Sequence, residues 1–90
     1  MSNMKYSQKI LIIEDEIVMR KTLVDNLRAS GFENILIAGD GEQGLQTALG
    51  EKPDLILLDI VMPKMDGMTM LKKLREDPRG KSPKIILLTN

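Results

Sequence analysis

Asp54-Leu-Ile-Leu-Leu-Asp59-Ile-Val-Met-Pro63-Lys-Met-Asp66-Gly67 is the stretch on which the reading of the fold turns. Four apolar residues, Leu55 to Leu58, run without a break into a carboxylate at Asp59 and then into a loop holding Pro63 and Gly67. A short, continuously apolar run bounded by turn signals suits a strand buried on both faces, as in a parallel sheet. A charge placed where such a strand stops lies at the carboxyl edge of the sheet, where open α/β folds put their ligand sites. Asp59 is therefore the first candidate functional residue.

Three further runs have the same character. Ile10 to Ile13 ends in Glu14-Asp15-Glu16, Ile35 to Ala38 is followed by Gly39-Asp40-Gly41, and Ile85 to Leu88 ends in Thr89-Asn90. Between the strands the period changes to that of helices. From about residue 17 to 30, Met19, Leu23 and Leu27 form one stripe with Val24 beside it, while Arg20, Lys21, Asp25 and Arg28 are expected to look outward. Gly31 is the natural stop, as a residue that takes a left-handed conformation past a helix end. Asp40 can cap a second helix with Leu45, Ala48 and Leu49 inward, which Gly44 and Gly50 should keep short. Asp66 can cap a third, from about Gly67 to Glu76, with Met70, Leu71 and Leu74 inward and Lys72, Lys73 and Arg75 on a solvated face. The order βαβαβαβ predicts an α/β fold with parallel neighbours, right-handed crossovers and helices on both faces of the sheet.

Composition narrows the function classes. Ninety residues with zero net charge, 42% hydrophobic and 29% charged, describe one small soluble domain without the basic footprint of a nucleic-acid or membrane binder. The organisation expected is a polar tail over residues 1–8 and a single domain over 9–90. There is no cysteine and no histidine, so thiolate and imidazole ligands are excluded, as is the commonest general base. Tyr6 and Phe32 are the only aromatics, too few for a base-stacking platform. No apolar run approaches the roughly 20 residues of a membrane span, and a cytoplasmic location is expected.

Parallel strands point their carboxyl ends the same way, so Glu14 and Asp15, Asp59, and Thr89 can converge although they are far apart in sequence. Taken singly each has a plain explanation: a turn or cap carboxylate, the acidic first turn of a helix, a β-forming residue. Together they describe a site. Carboxylates brought within a few ångströms repel unless a cation lies between them, and oxygen donors without His or Cys select a hard ion such as Mg²⁺. The cation would also let a phosphoryl donor approach an acidic pocket. An Asp carboxylate beside it can attack phosphorus and give an aspartyl-phosphate, with Thr89 donating a hydrogen bond to the transferred group.

The residues Ile-Leu-Ile-Ile-Glu14-Asp15-Glu, Gly-Asp-Gly-Glu-Gln-Gly-Leu, Asp54 to Gly67 and Ile-Ile-Leu-Leu-Thr89 resemble response-regulator receiver domains of two-component systems. The likeness covers Lys9 to Asn90 and is most specific from Asp59 to Gly67. It implies a flavodoxin-like (CheY-like) parallel sheet, here with strand order 2-1-3-4, and a non-enzymatic signalling role. It further implies that Asp59 accepts a phosphoryl group from the phosphohistidine of a sensor histidine kinase or phosphotransfer protein. Glu14, Asp15, Asp59 and the backbone carbonyl of Val61 would hold Mg²⁺, and Thr89 would be the hydroxyl residue that swings toward the phosphoryl group.

The family pattern continues with a fourth helix, a fifth strand and a fifth helix, including a lysine that ends the fifth strand and an aromatic switch residue on it. The sequence thus resembles a receiver cut after its fourth strand. Impaired phosphorylation and switching are expected, as is self-association through an exposed fourth-strand edge. Two alternatives compete: an interaction fragment or pseudo-receiver that is not phosphorylated, and a Mg²⁺-dependent phosphohydrolase with Asp59 as nucleophile. Such hydrolases often carry a second Asp two residues later, whereas position 61 is Val.

Overall fold

Four parallel strands form one sheet in the order β2-β1-β3-β4. In this computed structural model, which describes residues 6–88, β1 is Ile10–Ile13, β2 Ile35–Ala38, β3 Leu55–Asp59 and β4 Lys84–Leu88. Between them run α1 (Ile17–Ala29), α2 (Gly41–Glu51) and α3 (Gly67–Glu76), with a 3-10 turn at Pro78–Gly80. The arrangement is the expected flavodoxin-like α/β fold through its fourth strand.

The apolar runs follow from burial on both faces. Leu11, Ile13, Ile56 and Leu58 turn to one side, where Ala48 of α2 and Met70 and Leu74 of α3 complete a core. Ile10, Ile12 and Leu57 turn to the other and meet Leu23, Val24 and Leu27 of α1. With both faces covered, β1 and β3 need no polar alternation. Among the described residues, no helix is long and apolar enough to cross a membrane.

Local chemistry sets the helix ends. The Asp40 side chain accepts the Gln43 N–H at 2.8 Å, and Asp66 accepts that of Thr69 at 2.8 Å. Gly31, at φ 104°, takes the left-handed position after α1, and Phe32 N–H bonds back to Leu27 O at 3.0 Å.

Four expectations are corrected. Met19 is exposed, since α1 seats on the sheet through Leu23, Val24 and Leu27 instead. Arg20 does not look outward: its Nη1 donates to Glu14 O at 3.0 Å. The second helix is not short but runs for 11 residues, because Gly44 is where it crosses β1. A Cβ there would come within 2.5 Å of Ile13 Cδ1, so close packing against the strand offsets the weak helix propensity. Arg75 is no solvated residue either, for its guanidinium donates to Gly80 O at 3.0 Å, Lys81 O at 2.9 Å and Pro83 O at 2.7 Å. It ties the end of α3 to the segment entering β4.

Candidate functional site

The register Ile13↔Leu58 makes β1 and β3 end side by side. Glu14, whose N–H still bonds to Ala38 O at 3.1 Å, therefore emerges next to Asp59, the last residue of β3. Glu14, Asp15 and Asp59 each bring a carboxylate oxygen within 4.8 Å of the others. Glu14 and Asp59 are buried, at 3% and 5% exposure, and Asp15 is open to solvent. Three acidic side chains from the ends of two strands thus cluster at the carboxyl edge.

Their electrostatics follow from that crowding. Burial, and next the hydrogen bond and charge of Asp59, push the Glu14 carboxyl from 4.5 up to about 7, against the Glu16 N–H that stabilises its ionised form. The Glu16 N–H donates to Glu14 Oε2 at 3.4 Å, and the Val61 N–H to Asp59 Oδ1 at 3.3 Å. A donor set of carboxylate oxygens alone, crowded within 4.8 Å, suits a small hard divalent cation.

The loop from β3 to α3 is closely fitted. Gly67 N–H bonds to Ile60 O at 2.8 Å, and a Cβ at Gly67 would collide with Asp59 O. Gly41 faces the Met65 carbonyl in the same way, so any side chain there would drive into the loop. Lys64 takes the left-handed region at φ 66° and reaches Asp40 Oδ2 at 3.7 Å.

The family model for the response regulator receiver domain matches residues 10–90. The chain belongs to the response-regulator receiver family. It is 41% identical over 81 residues to a probable chemotaxis protein CheY of Rhizobium etli, covering 90% of this chain and 63% of that protein. It is 44% identical over 70 residues to the alkaline phosphatase synthesis regulator PhoP of Bacillus subtilis, covering 78% of this chain and 29% of that one. The chain thus spans less than two thirds of the length of these relatives. Among solved structures, it resembles the receiver domain of a sensor histidine kinase from Pseudomonas aeruginosa PAO1. The TM-score is 0.87 at 31% identity, over 93% of this chain and 68% of the other; that structure has a magnesium ion in its active-site cleft.

Of the residues anticipated for the receiver's site, Glu14, Asp15 and Asp59 are brought together, and Val61 adjoins them through its backbone N–H. Thr89 lies outside the described residues. Sequence reasoning missed Arg20, which bonds behind Glu14, and the two close approaches at Gly41 and Gly67. The glycines carry a signal in the pairs Asp40-Gly41 and Asp66-Gly67, where the cap role of each aspartate masks the close approach of the glycine beside it. Arg20 carried none, because its acceptor is a backbone carbonyl.

Proposed function

We propose that this receiver takes a phosphoryl group onto Asp59 from the phosphohistidine of a sensor histidine kinase or phosphotransfer protein. The observation that carries this reading is the buried Asp59 at the end of β3 with Glu14 and Asp15 beside it. An Asp59 carboxylate oxygen forms the new bond to phosphorus as the P–N bond breaks and its electron pair returns to the imidazole. Glu14, Asp15, Asp59 and the Val61 carbonyl would hold Mg²⁺; a related receiver has a magnesium ion in its active-site cleft. The ion supplies neutralisation of charge on the transferred group. Thr89, next after β4, donates to that group. Ile17 and Val18, each 70% exposed, and Val61, 80% exposed, flank the acidic residues in sequence and offer the partner an apolar contact. The protein works in the cytoplasm as a signalling domain comprising residues 9–90, with 1–8 as a tail.

The test is incubation with acetyl phosphate and Mg²⁺, read by intact mass. One phosphoryl addition is expected, absent in Asp59→Asn and without the cation. An unlabelled parent protein overturns the reading.

Among the described residues β4 lies at the edge of the sheet and exposes Ile86 and Leu87, at 49% and 40%. Self-association through that edge belongs to the same proposal.

A further inference from the structure

We propose that Arg20 is a positioning residue for the acidic site, clasping the β1–α1 loop so that Glu14 and Asp15 face Asp59. The main chain entering the loop is pinned by Glu14 N–H on Ala38 O at 3.1 Å, and side chains add little beyond it. Glu16, the N-cap of α1, makes no side-chain cap bond, and the first turn of the helix carries no acidic residue. Within the loop, the bond from Glu16 N–H to Glu14 Oε2 is long at 3.4 Å and uses an oxygen that a cation would claim. Arg20 lies one turn into α1, where its N–H closes the first helical bond to Glu16 O at 2.9 Å. From there its guanidinium reaches back to Glu14 O at 3.0 Å, a charge-assisted bond to the main chain that takes neither carboxylate oxygen of Glu14.

The guanidinium also has a close neighbour across the site. It lies over Gly39, at the exit of β2, where a Cβ would come within 3.2 Å of Nη1. Gly39 N–H is in turn held by Gln43 Oε1 at 3.2 Å. One side chain thus bridges the loop after β1 and the loop after β2, and the half-buried Arg20 lines the cleft between α1 and Ile37 of β2. Because the bond goes to the main chain, what Arg20 governs is where the two carboxylates stand.

The consequence for metal binding rests on the Mg²⁺ reading above, so two measurements are needed. Arg20→Met keeps the stem and removes the donors, and Arg20→Lys restores one. In the metal-free protein, amide exchange at Glu14 and Arg20, whose N–H groups bond to Ala38 O and Glu16 O, is expected to rise about three- to tenfold in Arg20→Met, the weight of one hydrogen bond, with Leu11 and Ile12 unchanged. Mg²⁺ affinity by calorimetry is expected to fall by a similar factor, and Arg20→Lys to recover most of both. Unchanged exchange in Arg20→Met overturns the clasp, as does a lysine variant no better than methionine. A parent protein that binds no Mg²⁺ refutes the reading of the site and leaves the clasp to be decided by exchange.

Discussion

Gly67 passes so close to Asp59 that the carbonyl oxygen of Asp59 occupies the space a Cβ would need. The candidate phosphoacceptor and the first residue of α3 are thereby locked together, with Gly67 N–H on Ile60 O at 2.8 Å as the fastening. Gly67→Ala must move backbone, since the obstacle is a main-chain atom. It is expected to cost about 1–3 kcal/mol in urea unfolding. Labelling of Asp59 by acetyl phosphate should fall with it, under conditions where the variant remains folded. A variant as stable as the parent would show that the loop yields freely.

Arg75 makes a second prediction. Three backbone carbonyls, those of Gly80, Lys81 and Pro83, depend on its guanidinium, and Lys81 Nζ returns a bond to Arg75 O at 2.7 Å. Arg75→Met is expected to lower stability by about 1–3 kcal/mol, because the partners left behind are partly shielded from water. Hydrogen exchange should show the loss first in β4, at Ile85 to Leu88, and least in β1.

These residues mark where sequence reading ends. The runs Ile10 to Ile13 and Leu55 to Leu58 were legible because burial on both faces leaves no polar residue in the strand. Asp40 and Asp66 were legible because a capping carboxylate precedes its helix at a fixed offset. Arg20 and Arg75 were not, since a helical wheel sends charge outward while their acceptors are backbone carbonyls of other segments. Gly44 was misread for a related reason: propensity counts its weakness inside a helix and cannot see Ile13 against it. The acidic trio fell between these cases. Its members were identifiable, but their convergence rested on the parallel register of β1 and β3.

The β4 edge gives a prediction about assembly. Ile86 and Leu87 point to opposite faces of a strand with one unpaired side among the described residues, and both are exposed. The weight-average mass by sedimentation is expected to rise with protein concentration. Ile86→Lys should shift that rise to several-fold higher concentration, because a charge beside an open edge opposes pairing. A mass that stays monomeric across the range would exclude association through this strand.

Glu14 sets the pH dependence. Its carboxyl, raised from 4.5 to about 7 chiefly by burial, binds a proton in the folded state that the unfolded chain releases at lower pH. The folded protein therefore holds more protons between those two values, and stability must fall as pH rises through them. The contribution is fully present below about pH 4.5 and gone above about pH 7; its size is on the order of 3 kcal/mol. Urea unfolding without divalent cation should show this decline between pH 5 and 7.5, against the usual behaviour of an ion-paired carboxylate. Glu14→Gln, which cannot titrate, should remove most of the slope and leave the protein more stable at pH 7.5. Mg²⁺ reverses the sign, because it binds the ionised carboxylates and competes with the proton. Its stabilising effect should grow from pH 5 to about 7 and then level off, with proton release detectable by calorimetry in buffers of different ionisation enthalpy. A Mg²⁺ effect independent of pH across that window would place the ion away from Glu14.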